Sequence, residues 1–525
     1  MMKKIYIIIT ALSVVGATFG QGPLTPSGAP APTMKTLNEL DTSIKQVAGR
    51  IPISHPGYII TEPGSYYLTT NLVTTTNQRG ITINTSNVTV DLNGFSILGA
   101  GASGSGILMN YRDNVTIKNG TIRDCYYSAI YAPNSKRCTF ENLKILNNSR
   151  ASGSSSGIYA GRNSKIVNNQ ILDNGGYGLR IYGSGSYIKN NIVKGNYLNY
   201  DLSQGNHLNL LLSEVPVTIK WPCKVEFAGT LTCTNQNQNA ISIESDNVTI
   251  NMNEHTLIGS GTDHTYGIYQ SNTYKNLHVL NGNITHWTGS GSRAINAEGF
   301  NGSFENISVS TNFSGIFVSG INAIISNCRA DNNTWGIYGG QNSLITKCRA
   351  YQNLLNGIEG ENGSIISQCT AYKNGQYGIQ GGASGKVIDC TSNKNRTGFD
   401  VGYLSIISGC VASKNQTEGI QVSSNSLVYN NNCSKNGGAG ILLKAGKKNT
   451  RIENNNVTLN KIGIKVSYKG NIIIRNTVGR NTDNNWSVVT GNACYVVQAT
   501  YCSAISGNSG GTSPGSTNPY ANFTY

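Results

Sequence analysis

From about residue 305 onward the chain repeats itself every 20 to 24 residues. One line of the repeat runs Cys348-Arg-Ala-Tyr-Gln-Asn353, then Gly357-Ile358, then Gly363-Ser-Ile-Ile366. The next runs Cys369-Thr-Ala-Tyr-Lys-Asn374, then Gly378-Ile379. The Gly-hydrophobe pair returns at Gly315, Gly336, Gly357, Gly378, Gly398, Gly419, Gly440 and Gly463. A fixed period of this size restricts the chain to a solenoid. Short alternations of β-branched residues, broken by Asn and Gly, make its elements strands. With 62 Gly in 525 residues and abundant Asn and Ser, helix interiors are disfavoured throughout. A hydrophobic share of 38% excludes a disordered chain. The expected architecture is all-β: a parallel β-helix, each repeat one coil, with coils stacked at about 4.8 Å.

Aligning the coils exposes three columns. Ile307, Cys328, Cys348, Cys369, Cys390 and Cys410 share one position. Two residues on, Val309, Ala330, Ala350, Ala371, Ser392 and Ala412 share another. A step of two stays on one strand face, so both should point inward, with cysteine acting as a small hydrophobe. A second column, Asn312, Asn333, Asn353, Asn374, Asn395, Asn415, Asn436 and Asn460, can bond amide to amide between coils and occupy the left-handed backbone of tight turns. The third is basic: Lys373, Lys394, Lys414 and Lys435 each precede a ladder Asn, with Arg329 and Arg349 nearby and Tyr351 and Tyr372 between. Stacked ammonium groups repel one another unless solvent or an anion screens them.

The charge balance agrees with an anionic partner. Forty Lys and Arg against 25 Asp and Glu give a formal charge of +15, which favours acidic polysaccharide, nucleic acid or membrane surfaces. Residues 1–20 read as a signal peptide: Lys3 and Lys4, an apolar run from Ile5 to Val15, then small residues. The run is too short for a membrane span, and no other stretch qualifies as one. Residues 21–50 form a Pro/Gly-rich linker and an amphipathic capping helix carrying Met34, Leu37, Leu40, Ile44 and Val47 on one face.

The plan also occurs twice. Asn87-Val-Thr-Val-Asp-Leu-Asn93 returns as Asn247-Val-Thr-Ile-Asn-Met-Asn253, and Asn199-Tyr-Asp-Leu202 resembles Asn485-Trp-Ser-Val488. The two offsets, 160 and 286, differ by 126, or six coils of 21. This gives two tandem modules, 51–210 and 211–495, the second longer by about six coils, followed by a tail over 496–525. On these features the chain resembles secreted bacterial right-handed parallel β-helix proteins of the pectin-lyase-like class, including carbohydrate-binding and sugar-hydrolase β-helices. The resemblance covers nearly all of the chain beyond the signal peptide. Gly28-Ala-Pro-Ala-Pro-Thr-Met-Lys-Thr-Leu37 and Asn518-Pro-Tyr-Ala-Asn-Phe523 place it beside an uncharacterised secreted subset. That resemblance implies the fold and little chemistry.

A search for chemistry finds no familiar catalytic set. Asn481-Thr-Asp483 matches the first element of polygalacturonase-like sites, with none of the others after it. The acids do not cluster as a calcium-dependent lyase requires, and an Asp-Pro-His-Asp epimerase motif is absent. None of the six His has zinc-like spacing, so neither a metal nor a cofactor is expected. One acidic constellation remains, because the residues following the Gly-Ile pairs run Phe317, Tyr338, Glu359, Gln380, Asp400, Gln421. Glu359 and Asp400 then lie two coils apart, roughly 9.6 Å by backbone, near the separation of an inverting glycosidase pair. Tyr338 would be a sugar platform beside them, and Tyr338, Glu359, Gln380 and Asp400 could also bind sugar hydroxyls without catalysis. Export permits disulfides, and Cys223–Cys233 and Cys494–Cys502 are the expected pairs at the ends of the second stack. The resulting expectation is a secreted or cell-surface solenoid that binds an extended acidic polysaccharide or other extracellular polyanion, with no nucleic-acid partner. The alternatives are a polysaccharide lyase or glycoside hydrolase of the pectin-lyase-like class, and a structural surface or appendage protein.

Overall fold

Runs of three to five residues that alternate buried and exposed side chains, such as Arg349–Tyr351 and Ile358–Gly360, can form only short half-buried strands. A computed structural model winds them into right-handed parallel coils. It describes residues 49–100, 104–150, 155–203, 205–234, 237–498 and 518–525. Every regular element among them is a strand. The signal peptide and capping helix expected within residues 1–48 lie outside the described residues. Pro52–Tyr525 form one compact unit; of the preceding unit, Met1–Ile51, only the last three residues are described.

Each coil contributes to two faces. One is a 36-stranded sheet, to which most coils give two short strands with a corner between them. The other carries one strand per coil and is split into sheets of seven and thirteen strands, so there are about twenty coils, roughly 95 Å of stack. The expected boundary at 210/211 falls inside His207–Leu212, a strand of the unbroken long sheet. The two modules are therefore parts of one continuous solenoid rather than separate bodies, although the other face breaks between Leu198–Leu202 and Val217–Ile219. Pro216 precedes the second of these strands and brings no N–H to a ladder.

Three columns running through the stack supply much of the core. Ile325, Ile345, Ile366, Val387, Ile407 and Val428 pair in register. So do Ala330, Ala350, Ala371, Ser392, Ala412 and Cys433. The third, from the other face, is Ile316, Ile337, Ile358, Ile379, Phe399 and Ile420. All are buried. The glycine of the Gly-Ile pair is required by close approach: a Cβ on Gly357 would lie 2.6 Å from Gly378 O and 2.7 Å from Asn374 Nδ2.

The corners hold the polar ladders. Each ladder Asn accepts from the coil before and donates to the coil after, as in Asn353 N to Asn374 Oδ1 (3.0 Å) and Asn374 N to Asn395 Oδ1 (2.8 Å). The left-handed residue is not the ladder Asn but the one preceding it: Gln352, Lys373, Lys394, Lys414 and Lys435 have φ between 54° and 57°. The cysteine column is also a ladder. Cys348 N–H approaches Cys369 Sγ at 3.4 Å and Cys369 N–H approaches Cys390 Sγ at 3.4 Å. The same position then passes to amides, with Cys410 N donating to Asn431 Oδ1 and Asn431 N to Asn455 Oδ1, both at 2.9 Å.

The described cysteines correct one expectation: no disulfide joins Cys223 to Cys233. Cys223 opens the strand Cys223–Phe227, and Cys233 follows Leu231–Thr232 around the next corner of the same coil. Both are buried, but the strand that Cys223 opens carries the chain away from it before the turn to Leu231–Thr232 and Cys233. The other expected bridge reaches Cys502, outside the described residues; Cys494 is half-buried. Ten of the eleven described cysteines are buried. Burial pushes the Cys223 thiol up to about 12 and those of Cys410 and Cys433 well above the ordinary range. Although hydrogen bonds from their neighbours pull the Cys348 and Cys390 thiols the other way, the ladder thiols are out of reach of solvent, so a thiol reagent at pH 8 should label at most Cys494 and Cys502 in the native protein and the ladder thiols only after denaturation. Rapid native labelling of Cys369, followed by peptide mass mapping, would contradict this packing. Within residues 496–525, Asn522–Thr524 forms a strand beside Thr477–Gly479 and Val496–Gln498.

Candidate functional site

The basic column sits at the corner following the second strand of each coil in the long sheet. Lys373 N donates to Asn393 O, Lys394 N to Ser413 O, Lys414 N to Ser434 O (each 3.1 Å) and Lys435 N to Thr458 O (3.3 Å). These bonds set one lysine above the next, one coil apart. All four are exposed, and among the described residues no carboxylate forms an ion pair with any of them. Lysine at a left-handed position costs roughly 1 kcal/mol that Asn or Gly would not, yet it is placed there in four successive coils.

Beside the lysines, Tyr351 and Tyr372 stack with ring centroids 5.2 Å apart and planes at 5°. Lys373 Nζ and Lys394 Nζ each lie 5.4 Å from the Tyr372 ring centroid, within cation–π range. The hydrogen bond and charge of Lys394, with Lys373 and Lys414 behind it, hold the Tyr372 hydroxyl below the usual phenol range. Arg329 and Arg349 are in register with each other and with Thr370, three positions before the lysine column, and form a parallel file rather than its continuation. Arg329 is ion-paired to Asp331. The lysine column itself continues through Leu459 (φ 60°) to Arg480 (φ 54°), a residue that the 21-residue spacing marks but the interrupting leucine hides.

Tyr338, Glu359, Gln380 and Asp400 lie on the thirteen-stranded sheet, in one outward column with Phe317 and Gln421. The structure does not bring them to the lysines, which occupy a corner of the long sheet. Tyr338 stacks on Phe317 at 4.5 Å and 7° and donates its hydroxyl to Glu361. Burial, and then the Glu361 bond, push its phenol up. Arg293 covers the other side of Phe317, its guanidinium carbon 3.6 Å from the ring centroid. Asn356 Nδ2 donates to both Glu359 Oε2 and Gln380 Oε1 at 2.9 Å. Burial raises the Glu359 carboxyl against that bond, so it holds its proton to higher pH than an ordinary glutamate. Asp400 is buried beneath Lys444, whose Nζ lies 2.5 Å from Oδ1. The two carboxyls are thus held differently: burial raises that of Glu359, while that of Asp400 is ion-paired to a lysine that coil alignment does not reveal. No group of three His, Cys, Asp or Glu converges as metal ligands among the described residues.

Comparison with known proteins places this geometry among others. A family model described as a right handed beta helix region matches residues 57–211 and 266–405. Residues 351–509 also match a model described as periplasmic copper-binding protein (NosD). No curated protein matches. Among solved structures, the periplasmic alginate epimerase AlgG is 12% identical over 52% of this chain and 75% of its own, with a TM-score of 0.33. The catalytic domain of a GH87 alpha-1,3-glucanase in complex with nigerose is 13% identical over 81% and 69%, with a TM-score of 0.17. A tailspike protein of E. coli bacteriophage HK620, in complex with a hexasaccharide, is 10% identical over 85% and 75%, with a TM-score of 0.23.

Proposed function

Since the chain belongs to the right-handed β-helix family, we propose that it is an exported carbohydrate-binding solenoid that lays an extended acidic polysaccharide along its lysine column. The observation that carries this reading is the set of four unpaired lysines held at left-handed corners in successive coils beside two stacked tyrosines. Backbone strain retained at one position coil after coil is the kind of feature that a function keeps. A uronate chain is itself periodic and anionic, so it meets several cations at once while its rings lie against Tyr351 and Tyr372. Export is supported by the signal-peptide pattern of residues 1–20 and by the likeness of residues 351–509 to a periplasmic family. No helix among the described residues is long and apolar enough to cross a membrane. The acidic column gives weaker support to hydrolysis, because Asp400 is already neutralised by Lys444.

The test is retention on immobilised alginate and pectate, with dextran as the neutral control, over a series of salt concentrations. Retention on the acidic matrices at low salt, lost as the Debye length shrinks from about 30 Å at 0.01 M to about 8 Å at 0.15 M, is the expected result. Passage through both acidic columns at low salt, or equal retention on dextran, overturns the proposal.

A further inference from the structure

The break in the one-strand-per-coil face leaves a cleft. Leu198–Leu202 pairs only with Tyr177–Tyr182, and Val217–Ile219 only with Ile241–Ile243, so the two strands end their sheets facing each other without pairing. On Val217–Ile219, Val217 N donates to Ala240 O and Ile219 O accepts from Glu244 N, both at 2.8 Å. A parallel strand directs successive residues to opposite neighbours, so Thr218 turns its own N–H and C=O toward the gap. The resulting cavity is about 780 Å³, within the range of small-molecule sites.

Its lining is specific. Trp221 and Tyr266 supply aromatic surface, Gln238 and Asn239 supply amides, and Ser242 and Thr218 supply hydroxyls. Trp221 is packed against the core on one side, which fixes its ring. Tyr266 is stacked on Tyr269 at 5.3 Å, and Asn239 Oδ1 is anchored by the Tyr266 N–H at 3.0 Å. The charged residues of the cleft are matched within the protein: Asp201 with Arg180 at 2.8 Å and Lys220 with Glu244 at 3.8 Å. The cleft thus offers flat apolar rings, many neutral hydrogen-bonding groups, two of them main-chain, and little net charge. A pyranose presents the complementary surface, an apolar ring face and a rim of hydroxyls.

We infer that this cleft is a binding site for a neutral oligosaccharide, separate from the lysine column and without its preference for anions. The inference does not rest on the acidic-polysaccharide reading. The two are tested apart: the lysine column by anionic matrices, the cleft by uncharged hexasaccharides.

The experiment is a calorimetric and tryptophan-fluorescence titration of the full chain with cello-, malto-, manno- and xylohexaose, and with a hexauronate for comparison. At least one neutral hexasaccharide should bind saturably. Trp221→Ala should weaken that binding at least ten-fold. Because Trp221 also packs on the core, Ser242→Tyr is the second variant; it fills the cleft from its wall and should weaken binding as strongly with an unchanged melting temperature. Changing the four column lysines to glutamine should leave the neutral titration unaltered. Binding of none of the neutral sugars, tighter binding of the hexauronate in the same cleft, or undiminished binding by Ser242→Tyr overturns the inference.

Discussion

Replacing Lys373, Lys394, Lys414 and Lys435 together with glutamine is expected to abolish retention on alginate and pectate at low salt while leaving the fold intact. Each exposed contact is worth under about 1 kcal/mol. Four of roughly 0.5 kcal/mol each amount to about a thirty-fold loss of affinity. Glutamine is the appropriate replacement because Gln352 already occupies the same corner column at φ 54°, so the backbone need not move. Removing four like charges one coil apart should leave stability unchanged or slightly raised. An internal reporter accompanies the variant. Lys394, with Lys373 and Lys414, lowers the Tyr372 phenol pKa, so in the parent Tyr372 ionises at lower pH than an ordinary tyrosine. In the variant its titration, followed by phenolate absorbance against a Tyr372→Phe control, should move to higher pH. If the quadruple variant is retained as well as the parent, the column is only a solvated turn.

The second large effect is on stability. Asn374→Leu keeps the branching at Cγ but removes four hydrogen bonds. Asn374 Oδ1 accepts from Asn353 N (3.0 Å) and Asn353 Nδ2 (2.9 Å), and its Nδ2 donates to Asn395 Oδ1 (2.9 Å) and Ala350 O (3.2 Å). These groups are buried, and an abandoned buried partner costs about 1–3 kcal/mol. The expected loss is about 3–6 kcal/mol by that accounting, against under about 0.5 kcal/mol for Gln416→Leu on the exposed loop. Since a solenoid communicates stability mainly to neighbouring coils, hydrogen exchange should accelerate first in residues 350–395. A shift below about 1 kcal/mol in denaturant would mean that the amide ladder is incidental to the stack.

The parts of this architecture that were legible in the sequence are those a coil repeats faithfully. Cys348, Cys369 and Cys390 keep one position through successive coils, and so do the ladder Asn, so register and burial follow from spacing alone. Continuity is lost to sequence reading where chemistry changes but geometry does not. The thiol column becomes an amide column between Cys410 and Asn431, because sulfur and amide oxygen both accept the same main-chain N–H. Proximity along the chain misled at Cys223 and Cys233, since ten residues of coil carry the chain along a strand and around a corner. The acidic column was readable, but the side chain paired with Asp400 was not, because Lys444 reaches it from two coils away, across the coil of Gln421. The cleft left only Pro216 as a signal, for it arises from two strands that do not pair.

The amide column that takes over from the thiols, Asn431, Asn455 and Asn476, also determines where its part of the stack stops. Every rung takes its acceptor from the coil that follows, so a column of identical rungs has no intrinsic length and always offers an open bond at its growing end. Here the last acceptor is furnished by a segment that returns from further along the chain. Asn476 N and Nδ2 donate to Asn522 Oδ1 at 3.0 and 2.9 Å. Asn522 Nδ2 then turns back to the main-chain oxygens of Ile473 and Tyr495 at 2.7 and 2.9 Å. The donor that would have called for another coil is thereby satisfied inside the molecule. In polymer terms the periodic column is closed by a chain terminator, which makes it a ruler of fixed length rather than a seed for a fibril.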